Sequence, residues 1–211
     1  SPNTRADALA FMEEQGIAPI STHEGFQPIQ NNTRALTPEQ ILLIYRIGGL
    51  VSLPVAMEEY NPYPEYQARI NALPDFCPGS IDSYKFTYEI VDSLIRSYAY
   101  LLLGTRFDDL PEDKKVLFSI GFQTDFNGWT SHEHPRVGPD GCFPIDSTKT
   151  YNPIETQGMA HPGMLVHHWQ WLEDHGTDLA PIKRSSERFL QIWESFLERR
   201  GKYDLLESSS H

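Results

Sequence analysis

The sequence predicts an α/β fold in which short parallel strands are covered by helices. Three observations predict it. Helix-patterned and strand-patterned segments alternate along the chain, the mark of strand–crossover–strand units. The three strand-like runs, in "IAPIS", "LVSLPV" and "VLFSIG", are apolar throughout rather than alternating, as strands buried on both faces are. Two of the runs lead into side chains that carry chemistry, His23 after the first and Asp125 after the third. In parallel α/β folds functional groups gather at the C-terminal ends of strands.

The first element, "SPNTRADALAFMEEQG", reads as a helix. Asn3 or Thr4 can cap it, Asp7 suits its first turn, and Gly16 suits its stop. Leu9 and Met12 share a face, with Ala8 and Phe11 beside them. A short strand over 17–21 follows and ends in Thr22-His23-Glu24-Gly25. "LTPEQILLIYRIGG" is a second helix: Thr37 caps, Pro38 takes the first position, Glu39 and Gln40 fill the first turn, and Gly48-Gly49 end it. "LVSLPV" is the second strand. A Pro- and Tyr-rich loop is expected over 57–79. A long helix follows over 80–104, with Tyr84, Tyr88, Val91, Ile95 and Tyr98 at helical spacing. The third strand is expected over 116–121 and a Gly-, Pro- and His-rich loop over 123–160. Two last helices are read at "PGMLVHHWQWLEDHG" and "PIKRSSERFLQIWESFLERRG", before an unstructured tail.

Bulk properties narrow the function classes. At 211 residues the chain suits one core. A net charge of −12 argues against nucleic acid as a partner, since that needs clustered Lys and Arg. No apolar run approaches the length of a membrane span. Cys77 and Cys142 lack a Cys-x-x-Cys spacing, so one disulfide and two free thiols both fit.

Each candidate residue has a plain reading beside its functional one. His23 is either a polar end to a strand or a ligand. Asp125, two residues before Asn127-Gly128, is either a turn residue or a catalytic carboxylate. Arg34 is by default a solvent-exposed cation; in the other reading its guanidinium clamps a carboxylate. His132 and His134 suggest a metal, although alternating histidines in a loop are more often surface residues. His167-His168 reads as structural, and His161 as a helix entrance. The aromatic residues at helical spacing read as core.

Several motifs together resemble the membrane (renal) dipeptidase-like zinc hydrolases. "SPNTRADALAFMEEQGIAPISTHEG" resembles the family's approach to a histidine-bearing strand. "RALTPEQILLIYRIGGLVSL" resembles its Arg-Asn-Leu-(Ser/Thr)-(Asp/Pro)-Glu-Gln helix and following strand. "GFQTDFNGW" resembles its Gly-x-(Ser/Thr)-Asp-(Phe/Tyr)-Asp-Gly motif, with Asn127 where the family usually has Asp. "TQGMAHPGMLVHHWQWLEDHG" resembles a late segment and helix. The likeness spans about 1–197.

The resemblance implies a (β/α)8 TIM-type barrel of which this chain is the C-terminal portion, a single incomplete domain over 1–211 with about three parallel strands. It implies a site of two zinc ions that hydrolyses a dipeptide. His23 is then a metal ligand, Asp125 the catalytic carboxylate that transfers a proton, and Arg34 the group that binds the substrate's terminal carboxylate. In such a site two metals share and acidify a water and polarise the peptide carbonyl. The family's remaining ligands belong to strands that would precede this chain. The implied partners are a missing N-terminal barrel half or a second copy, and the isolated chain is expected to be weak or inactive. Two alternatives stand beside this: a related amidohydrolase with another small substrate, and a non-catalytic scaffold that keeps the fold without the metals.

Overall fold

The computed structural model describes residues 2–22, 26, 35–54, 62, 64–123 and 132–208. In chain order its elements are α1 (Pro2–Gln15), β1 (Ile20–Ser21), α2 (Pro38–Arg46), β2 (Leu50–Pro54), α3 (Pro64–Asn71), α4 (Ile81–Leu103), α5 (Glu112–Lys115), β3 (Ile120–Gln123), α6 (Pro153–Gln157), α7 (Leu165–Asp174), α8 (Ala180–Lys183) and α9 (Ser185–Ser208). The expected α/β class is present. The strands form one parallel sheet in the order β1-β2-β3. Ile20 pairs with Leu50, and Val51 with Ile120. Among the described residues β1 and β3 each pair only with β2, so each keeps one edge without a neighbour.

Local chemistry accounts for the element ends. Thr37 accepts from the Gln40 N–H, and the Gln40 side chain accepts from the Thr37 N–H, a reciprocal capping box. Ser80 caps α4, and Gly104 ends it in the left-handed conformation. Gly16 and Gly48 do the same after α1 and α2, at φ +61° and +79°.

Gly49 is needed for a different reason. A Cβ there would lie 2.4 Å from the Pro19 carbonyl oxygen and 2.7 Å from Ile44 Cγ2. The Pro19 carbonyl accepts the Leu50 N–H and so joins β1 to β2. Gly49→Ala is therefore expected to destabilise the fold by about 1–3 kcal/mol through overpacking. A chemical denaturation midpoint equal to wild type would contradict it.

The core lies where α2 and α4 cover the sheet. Ile41, Ile44 and Tyr45 of α2 meet Tyr84, Tyr88, Val91, Ile95 and Ala99 of α4, all buried. Their spacing on α4 keeps one face inward over four turns. The Tyr45 hydroxyl crosses the core to donate to the Ser119 carbonyl at 2.7 Å. β2, the central strand, is buried along nearly its whole length, as its neighbours on both sides require. α9 packs on β2 and β3.

Some expectations shift. Residues 116–118 form a 3-10 turn, and the third strand starts at Ile120. An apolar run alone does not separate a strand from a buried turn. α3 and α6 lie inside the two segments read as loops; α6 carries its own capping box at Asn152 and Glu155. α9 continues through Gly201 to Ser208, since one helical glycine costs only about 1 kcal/mol. On α1, Leu9 is buried, whereas Phe11 and Ala8 are exposed. Among the described residues no helix is long and apolar enough to cross a membrane.

Candidate functional site

Because the sheet is parallel, Ser21 of β1 and Gln123 of β3 end at the same edge. His23 and Asp125 each lie two residues further on, and both fall outside the described residues, as does Arg34. The chain around them is described. Phe26 and Leu36 form a parallel bridge and are buried. That bridge draws together the two ends of the stretch that contains Arg34. The Ala35 carbonyl accepts from Arg5 Nη1 at 3.1 Å, which ties the same place to α1.

Beyond the Asp125 stretch in sequence, Glu133 is buried. Glu133 and His168 of α7 are both fully buried, and His168 Nδ1 lies 3.1 Å from Glu133 Oε2. An imidazole nitrogen and a carboxylate oxygen at this distance make a buried hydrogen bond, Nδ1–H to Oε2 when the carboxylate is ionised. The Tyr84 ring meets the imidazole edge-on at 4.6 Å, and Trp169 and Phe122 close the cluster. Burial first, then the Glu133 charge, hold the Tyr84 phenol well above its ordinary pKa. The Tyr84 hydroxyl, Glu133 Oε1 and His168 Nε2 have no hydrogen-bond partner among the described residues. Buried polar atoms of this kind are uncommon and mark places where a fold gives up stability.

This cluster anchors the Asp125 stretch at its downstream end, as Gln123 of β3 does upstream. Backbone bonds reinforce it: the Met159 N–H donates to the Glu133 carbonyl, and the His134 N–H to the Gly79 carbonyl. The reading of His168 as structural agrees with its burial. Glu133 was missed. It stands between His132 and His134, whose spacing suggests a metal and draws attention from the carboxylate. His134 instead bonds the Pro135 and Pro78 carbonyls. His161 stands at a helix entrance, where Nδ1 accepts from the Gly163 N–H at 3.1 Å.

The two long loops are joined. Cys77 and Cys142 form a disulfide across 65 residues, a choice the sequence leaves open. Beside it, Arg136 Nε donates to Asp82 Oδ2 at 3.0 Å, and its Nη2 donates to the Asp75 carbonyl. The Asp82 carboxyl is raised above its ordinary pKa by burial, which outweighs the Cys77 N–H and Arg136. The fold thus holds this proton more tightly than the unfolded chain does. Its contribution to stability should rise as the pH falls through the raised value. Asp82→Asn should flatten that part of the stability–pH curve; an unchanged slope would contradict the assignment.

Among the described residues no group of three or more His, Cys, Asp or Glu side chains could hold a metal ion. No family model, no curated protein and no solved structure matches the chain. The family likeness therefore stands on the sequence motifs alone.

Proposed function

We propose that this chain supplies the C-terminal strands of a (β/α)8-type barrel like that of the membrane dipeptidase-like zinc hydrolases, and that the complete site hydrolyses a dipeptide or a similar small amide. One observation carries the reading. The strands follow one another in chain order in a parallel sheet, and the His23 and Asp125 segments continue from the same edge of that sheet. Successive barrel strands have this order, and barrel sites occupy this edge. The edges of β1 and β3 left without a strand neighbour among the described residues suit a sheet that continues into a missing half or a second copy.

In this reading His23 is a metal ligand, Arg34 binds and orients the substrate's free carboxylate, and Asp125 carries the proton to the leaving amine. Imidazole and carboxylate are donor types that zinc accepts. Two such donors fall short of the roughly three protein ligands a catalytic zinc takes. In this reading His23 and Asp125 do not make the site by themselves, and no step through the metal is derived from them.

Elemental analysis of the purified chain after dialysis tests the reading. Sub-stoichiometric zinc is expected, and His23→Ala should remove what remains; an unchanged content in that variant sinks the ligand role. Rapid hydrolysis of a dipeptide by the chain alone would refute the incomplete site. For the assembled site, a dipeptide amide should bind about tenfold more weakly than the dipeptide. Equal binding would remove Arg34 from its role.

A further inference from the structure

Among the described residues a hollow of about 500 Å³ opens at the opposite, N-terminal edge of the sheet, between the end of α1, the turn after α2, and α9. Its walls are mostly apolar: Met12, Ile17 and Ile47 on one side, Ile192, Trp193 and Phe196 on the other. Trp193 and Phe196 are each 51% exposed, with ring centroids 6.0 Å apart. Hollows of roughly 300–1,000 Å³ with apolar walls and a few polar groups are the usual form of a small-molecule site.

Two guanidiniums of α9 reach this hollow. Arg188 is only 8% exposed. Its Nη1 donates to Gln191 Oε1 at 3.0 Å and its Nη2 to the Gly48 carbonyl, while Nε has no hydrogen-bond partner. Arg199 Nη1 donates to the Gln15 carbonyl at 2.7 Å. Each arginine thus caps a helix C-terminus, where carbonyls favour a cation, and each keeps donors to spare. Burial lowers the Arg188 pKa from its ordinary value, the mark of a charge short of solvation.

Several other arginines are paired with carboxylates, and among the unpaired described ones Arg188 differs in being buried. The chain has 29 acidic residues against 17 basic ones. Arg96, Arg136 and Arg184 each meet a carboxylate. Among the described residues neither Arg188 nor Arg199 has an ion-pair partner. A buried cation without a counter-charge is costly, and an anion from outside would relieve it.

We propose that this hollow binds a small carboxylate with an apolar tail, of the size of a medium-chain fatty acid. The carboxylate lies against the Arg188 side chain where it lines the hollow, with Arg199 at the rim, and the tail lies over Trp193 and Phe196. The net charge of −12 disfavours an anionic membrane surface as the source, so the ligand is a monomer in solution. The site is independent of the proposed hydrolase edge and of zinc.

Calorimetric titration of the full chain with decanoate, below its micelle concentration, tests this. One decanoate per chain is expected, with decanol about tenfold weaker or worse. Ser195 lines the hollow, so Ser195→Trp should fill it and abolish binding. Arg188→Gln and Arg199→Gln should each weaken it, with circular dichroism as the check on folding. Should Arg188→Gln unfold because Gly48 loses its donor, Arg199→Gln and Ser195→Trp decide. Equal affinity for decanol, wild-type affinity in Ser195→Trp, no saturable binding, or binding to anionic phospholipid vesicles in place of decanoate would each overturn the proposal.

Discussion

His168→Leu is expected to lower the stability of this protein by about 1–3 kcal/mol, the cost of leaving a buried polar group without its hydrogen-bond partner. His168 and Glu133 are both fully buried and bond at 3.1 Å. Leucine would fill most of the space and remove the one hydrogen-bond partner that the described residues offer the Glu133 carboxylate. The Tyr84 hydroxyl nearby does not bond to it. Three variants separate charge from packing. Glu133→Gln keeps an acceptor for Nδ1–H and should lose less. Pairing His168→Leu with Glu133→Leu removes both polar groups and should recover part of the loss, because two matched deletions leave no orphan. Urea denaturation reads all three. A double variant no more stable than His168→Leu would show that shape, rather than the carboxylate, sets the cost. If the site reading holds, His168→Leu should also depress hydrolysis in the assembled protein, because Glu133 anchors the stretch that carries Asp125.

The second large effect is expected from the disulfide. Replacing Cys77 and Cys142 by serine should cost roughly 2–5 kcal/mol, because the bond closes a long loop in the unfolded chain. The two cysteines are 65 positions apart. The native arrangement around them should survive, since Arg136 still links the segments through Asp82 and the Asp75 carbonyl. Far-UV dichroism should therefore be retained while the denaturation midpoint falls. Adding reductant to the wild type should reproduce the shift, and a midpoint insensitive to reductant would contradict the bond. Such a bond persists in oxidising surroundings.

The local signals in the sequence served well. Thr37-Pro38 with Gln40, and Gly16 and Gly48, each mark an element end from within a few residues, and the capping and left-handed stops occur there. The Tyr84–Tyr88–Val91–Ile95 spacing identifies the buried face of α4 for the same reason: helical periodicity is a local property. The apolar run at 116–121 misled by a few residues, because hydrophobicity reports burial and not backbone conformation. Of the candidate site, the sequence names His23, Arg34 and Asp125 and puts the first and last just beyond strand ends. All three lie outside the described residues, and the described strands end two residues before His23 and Asp125.

Glu133 shows the limit of such reading. Nothing within a few residues of it distinguishes a buried, paired carboxylate from a surface one, since its partner His168 is 35 positions away. The same holds for Cys77 with Cys142, 65 apart, and for Arg188 with the Gly48 carbonyl, 140 apart. Periodicity, caps and turn glycines act over a few residues, so the amino-acid order alone was enough for the longer helices and the parallel class, but not for α3, α6 or the bounds of β3. Which charges are buried, and against what, depends on segments that meet only when the chain has packed. That is why the Glu133–His168 pair, the disulfide and the arginine-lined hollow came from the folded structure.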